Sequence, residues 1–194
     1  MILRVAAFIT CAGLALALLA GEAPAPTKTP TFLTLLQEPR LTEQPKTSTK
    51  KVYRLIIAPT WGNRFCFRIA TNGDTATLTM KRLGGQAGYG DGPLAETKQM
   101  RLTQRDLTAF EILLATTGYE NMDLKDPHAG LDGDSWTLEV SKAAYYHIAS
   151  RWCPNAYDPD ERGTRKYVDA FRWITDKMGV TKSITNKGHA VFER

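Results

Sequence analysis

The sequence lacks an apolar run long enough to cross a membrane: the longest, Val5 to Ala20, has 16 residues, and a transmembrane helix needs about 20. Histidine is scarce. His128, His147 and His189 are the only three, and no two have the close spacing of a zinc site, so no metal is expected. A Gly-x-Ser-x-Gly nucleophile elbow is missing as well, which removes one signature of hydrolases. The body also lacks an excess of either charge, because the segment from Tyr53 to Val180 carries 16 basic and 16 acidic residues. The net charge of +5 therefore lies in the tails. A nucleic-acid groove needs a basic stripe on the body itself, so no nucleic-acid partner is expected. With 43% hydrophobic and 23% charged residues, a disordered, collagenous or multispan membrane chain is excluded.

What is present begins with a leader. Ile2 to Gly21 carries one charge, Arg4, and small residues follow the apolar run at Leu19-Ala20-Gly21 and Ala23-Pro24-Ala25. This pattern predicts a signal peptide over residues 1–22, cleaved between Ala20 and Ala25, and a periplasmic or secreted product with no transmembrane domain once the leader is removed. The alternative is a leader that stays as an anchor. Cys11 sits inside the apolar run and not at its end, so no lipid anchor is indicated. Cleavage leaves Cys66 and Cys153 in an oxidising compartment, which predicts a disulfide between them. Closing that loop would stabilise the fold by about 4–5 kcal/mol in the chain-entropy picture. Two separate buried thiols are the other reading.

Residues 23–51 are rich in Pro, Thr and Lys and read as a disordered linker. Phe32-Leu33-Thr34-Leu35-Leu36 interrupts it, as a helical turn docked on the body, as a partner-binding element, or as part of a mobile tether, and the tether is the expectation. A single domain is expected over 52–180 and a C-terminal tail over 181–194. Alternation predicts strands over Val52 to Ala58, Arg64 to Ala70, Thr75 to Leu83, Ala95 to Leu102, Ser135 to Ser141 and Tyr145 to Trp152. Thr103 and Asp106 form a capping box before a helix from Gln104 to Thr117, with Gly118 as its stop. Asp158, Pro159 and Glu161 read as the start of a last helix that ends at Gly179. Short connections between successive strands require antiparallel neighbours. The predicted fold is α+β in the order ββββαββα: an antiparallel sheet of five to six strands, two amphipathic helices on one face and a polar second face. Strand parity places Trp136 and Trp152 inward and puts Cys66 and Cys153 together on the polar face.

The candidate chemistry is sparse. The glycines of Gly84 to Gly92 precede Pro93 and a strand and not a helix, so a phosphate loop is not expected and no cofactor is implied. Asp132, Asp134 and His147 are the weak candidates for acid/base groups, in a hydrolytic site between the loops at 84–92 and 126–134. Trp61 and Tyr89 fall in loops and are the candidates for exposed binding aromatics, with Arg64 and Arg68 on the polar face beside them.

Gly130-Leu131-Asp132-Gly133-Asp134-Ser135-Trp136, followed by Tyr146-His147 and Arg151-Trp152-Cys153-Pro154, resembles a family of uncharacterised exported bacterial proteins. That family carries a Gly-Leu-Asp-Gly-x-x-Trp stretch and a later Arg-Trp-x-Pro, usually with Ser where Cys153 stands here. The resemblance covers about residues 53–179 and implies export and one domain. It implies no activity. The leading expectation is a binding or inhibitor-type module with a protein partner and without catalysis. An envelope hydrolase and a leader-anchored structural protein are the alternatives.

Overall fold

Strand alternation and capping account for nearly every element of the computed structural model, which describes residues 31–73, 75–85, 90–156, 158–184 and 190–193. The signal peptide expected over 1–22, the first part of the linker and Tyr89 lie outside the described residues. Six strands form one sheet: β1 (Lys51–Pro59), β2 (Phe65–Asn72), β3 (Thr75–Leu83), β4 (Leu94–Leu102), β5 (Asp134–Lys142) and β6 (Tyr145–Trp152). Their spatial order is β4-β3-β2-β1-β5-β6. Every neighbouring pair is antiparallel.

One face is apolar by period-two alternation: Leu55 and Ile57 of β1, Phe67 and Ile69 of β2, and Trp136 and Leu138 of β5 are all buried there. Two helices cover it, α2 (Gln104–Thr116) and α3 (Arg165–Lys177). The predicted capping box is formed, Thr103 accepting from the Asp106 amide and Asp106 from the Thr103 amide. Gly118 stops α2 at φ 65°, the left-handed conformation that glycine adopts without a Cβ penalty. Hydrogen bonds from Lys177 of α3 and from Thr103 bring the Asp106 carboxyl down to about 2, so one side chain both caps α2 and ties the two helices. The Tyr167 hydroxyl donates towards the carbonyls of Trp136 and Ala149, at 2.8 and 3.2 Å, and fixes α3 over β5 and β6.

The last helix starts later than its sequence suggests. Asp158 does accept from the amides of Asp160 and Glu161. The turn it caps closes at Gly163, whose φ of 65° breaks helical continuation, and α3 begins at Arg165.

The second face is polar, as expected, but it is not bare. Helix α1 (Thr31–Leu35) and a 3-10 turn over Leu41–Glu43 lie where a tether was expected. Leu33 and Leu36 pack on Ile56, Cys66 and Leu83, so the docked helical turn is the alternative the structure adopts. Between them Glu38 is buried against three cations, with Lys81 Nζ at 2.8 Å, Arg68 Nε at 3.0 Å and Arg54 Nη1 at 3.8 Å. The expected C-terminal tail at 181–194 carries a small antiparallel pair, β7 (Thr181–Ile184) and β8 (Ala190–Glu193).

Two expectations fail on register. Trp152 pairs with Ser135, and Arg151 with Trp136. Directly paired residues share a face, so Trp152 points away from the helices while Tyr145, His147, Ala149 and Arg151 point towards them. The premise that Cys66 and Cys153 share a face fails with it. Cys66 sits in β2 under α1, and Cys153 follows β6, three strand steps away or about 14 Å. A disulfide needs Cα atoms within about 4.4–6.8 Å. Both cysteines are free, buried thiols. Unreduced, denatured protein should therefore titrate with both Cys66 and Cys153 free, and reductant should leave its melting temperature unchanged. A peptide mass showing the two linked would contradict the structure.

Candidate functional site

Four connections meet at one end of the sheet, where β1, β3 and β6 finish and β2, β4 and β5 begin. The loop 60–64 and the loop 126–133 are joined there. The Thr60 amide donates to the Gly133 carbonyl at 2.8 Å, and the Gly133 amide donates back to Thr60 Oγ1 at 3.2 Å. Gly130 and Gly133 lie flat on the Trp152 indole: a Cβ at Gly130 would stand 2.2 Å from its Cζ2, and one at Gly133 would stand 2.4 Å from Cys153 Sγ. The Gly-Leu-Asp-Gly and Arg-Trp-Cys-Pro stretches thus form an interlock, and the glycines are needed for close approach.

Asp126 and Arg162 secure it. Asp126 Oδ2 accepts from Arg162 Nη2 at 2.7 Å and from the Trp152 amide at 3.0 Å, while Oδ1 accepts from the His128 amide at 3.0 Å. Arg162 also donates to the carbonyls of Cys153 and Trp152. Burial works against the ionised Asp126 carboxyl, but the bonds from His128 and Trp152 and the charge of Arg162 outweigh it and hold the group below the ordinary carboxylate range. Cys153 takes φ 39° to complete the turn, its amide donating to the Asp134 carbonyl at 2.7 Å. Burial raises its thiol above the ordinary value.

This rigid frame presents apolar groups to solvent. Trp61 is 59% exposed on one loop, and Leu131 is 100% exposed on the other, two residues from the Gly133 that Thr60 holds. Trp61 stands as the sequence reading placed it. Leu131 was missed, because a single Leu among Gly and Asp has no periodicity, though its very isolation in a polar turn was a signal.

The other candidates scatter. Asp132 is exposed at the loop tip, and Asp134 is fully buried at the start of β5. His147 pairs with Val140, six residues along β5 from Asp134 or about 20 Å away. It stacks with Tyr145, at 6.3 Å between ring centroids. No acid/base trio is assembled from these three. Arg64 is held by Asp91 at 2.6 Å with its guanidinium over the Phe32 ring, and Arg68 is engaged by Glu38 beneath α1. Both arginines are thus engaged within the chain and remain partly exposed.

A cleft of about 420 Å³ opens at the opposite end of the sheet, between the C-terminal turn of α2 and the ends of β1 and β5. Glu111 Oε1 accepts from the Tyr53 hydroxyl at 2.6 Å and from Lys51 Nζ at 2.9 Å. Glu120 Oε1 accepts from Lys142 Nζ at 3.0 Å and from the Tyr119 hydroxyl at 3.1 Å. Partial burial opposes ionisation of Glu111, yet its bonds from Tyr53 and Lys51 win and lower it; the bond from Lys142, followed by that from Tyr119, lowers Glu120.

Among the described residues no three His, Cys, Asp or Glu side chains group to hold a metal ion, and no helix is long and apolar enough to cross a membrane. The chain matches no protein-family model, and no curated protein matches it significantly.

Proposed function

We propose that the domain is an exported binding module, of inhibitor type, which engages another protein through the loop end, with Trp61 and Leu131 as its anchors. The observation that carries this reading is the pairing of two solvent-exposed apolar side chains on loops locked to each other by the Thr60–Gly133 bonds. Exposed large apolar groups in a fixed frame are the chemistry of interface hot spots, where Trp is enriched. A frame ordered before binding also reduces the entropy lost on association. The charge-balanced body supports a protein partner over nucleic acid, and the leader supports a site of action outside the cytoplasm.

The test is affinity capture from the expressing cells with the wild-type chain, the Trp61→Ala/Leu131→Ser double variant and an Ile112→Ser control, Ile112 being an exposed apolar residue on α2. A partner held by wild type and by the control should be lost by the double variant, with a fall in affinity of about 30-fold or more, as for truncated hot-spot side chains. Partners recovered equally by all three would sink the reading.

A further inference from the structure

We propose that the cleft lined by Lys51, Glu111, Glu120 and Lys142 is a second binding site, for a small zwitterion: a free amino acid or a short peptide carrying one ammonium and one carboxylate group. Its volume of about 420 Å³ lies in the range of small-ligand sites, about 300–1,000 Å³. The charges inside define the ligand. Two ammonium groups face two carboxylates, so a simple anion would meet both glutamates and a simple cation both lysines. A neutral molecule bearing one charge of each sign meets a complement for each.

The hydrogen bonding leaves room for such a ligand. Both protein donors to Glu111 use the same oxygen, Oε1, and both donors to Glu120 likewise use Oε1. Each glutamate thus keeps Oε2 open among the described residues. Lys51 and Lys142 each give one ammonium bond to a glutamate, and an ammonium has three donors. The two ion pairs are also inexpensive to share. Lys51 and Glu111 are 46% and 29% exposed, and Lys142 and Glu120 are 39% and 54% exposed. Pairs so exposed contribute little on their own.

The cleft is also polarised. Ala115 and Gly118 place the C-terminal turn of α2 in the wall, and a helix C-terminus favours positive charge. The ligand ammonium is therefore assigned to the α2 side, against Glu111 and Glu120. Its carboxylate is assigned to Lys51 and Lys142, which are paired across β1 and β5. Leu114 and Ala115 supply the apolar wall, so a ligand with an aliphatic side chain is favoured.

The experiment is a titration of the full chain, followed by calorimetry, with L-leucine and with the dipeptide Ala-Leu. N-acetyl-leucine lacks the ammonium, and leucinamide lacks the carboxylate; both serve as controls. Saturable binding with Kd of about 1 mM or tighter is expected for at least one free probe, weakened about tenfold or more in each blocked analogue. Leucine alone would identify an amino acid as the source, and the dipeptide alone a peptide. Glu111→Gln and Lys142→Met should each weaken binding about tenfold, and Trp61→Ala/Leu131→Ser should leave it unchanged. Unchanged far-ultraviolet spectra and melting temperatures in the two cleft variants separate lost binding from lost fold. No saturation by either free probe, or equal binding of the blocked analogues, would overturn the proposal.

Discussion

Replacing Arg162 with alanine is expected to destabilise the protein by about 3–5 kcal/mol, the range for removing one partner of a buried ion pair. The Arg162 and Asp126 side chains are only 6% and 7% exposed. Loss of the guanidinium strands the carboxylate and removes the donor from the carbonyls of Trp152 and Cys153. Arg162→Lys should recover little of this, because an ammonium cannot reproduce the planar fork that reaches three oxygens at once. The same cluster sets an acid sensitivity. The folded-state value of Asp126 is depressed, so its contribution is fully present above the unfolded value of about 3.9 and is lost as pH falls through the lower folded value. Urea unfolding of wild type and Asp126→Asn at neutral pH and at about pH 3 should show the difference between them shrinking in acid. A loss under about 1 kcal/mol for Arg162→Ala would mean that the loop is held by other contacts.

The second large effect is expected at Arg54. Its side chain is 2% exposed, with Nη2 2.6 Å from Glu139 Oε2 and Nη1 2.7 Å from the Pro39 carbonyl. Glu38 keeps Lys81 and Arg68 when Arg54 is removed, but among the described residues Glu139 keeps only the Tyr146 hydroxyl at 3.4 Å. Arg54→Ala should therefore cost about 3–5 kcal/mol and also loosen the segment from α1 to the 3-10 turn. Arg54→Met combined with Glu139→Met should restore most of the stability, since apolar isosteres often replace a buried pair without loss. Amide exchange at residues 36–41 reads the loosening directly, and unchanged protection there in Arg54→Ala would contradict it.

The fold was legible where one rule acted alone. Thr75–Leu83 and the Thr103 capping box followed from alternation and from cap chemistry, with no tertiary information. Strand β6 was not legible in that way, because Tyr145 and Tyr146, then His147 and Ile148, offer a large side chain on either parity. Pairing with β5 decides, and it turns Tyr146 towards Glu139. The segment 31–43 was read as part of a tether over 23–51 because Pro, Thr and Lys dominate that stretch, with Phe32 to Leu36 as a short apolar interruption. Its anchoring joins Leu33 and Leu36, packed on Ile56, Cys66 and Leu83, to Glu38, whose three cations come from separate strands that no local pattern connects. The disulfide failed for a related reason: composition permits it, but distance across the sheet forbids it. Of the candidate site, Trp61 was readable as a loop aromatic. Leu131 became meaningful only once Thr60 and Gly133 were seen to join the two loops that carry it and Trp61.

The claim that this loop end is the working surface is tested most directly by placing a photo-crosslinking amino acid at position 131 in the full chain, in the cells that express it, with position 112 on α2 as the comparison. The account predicts a discrete crosslinked protein adduct from position 131, suppressed by Trp61→Ala, and none from position 112. The same adducts from both positions, or none from position 131, would contradict it.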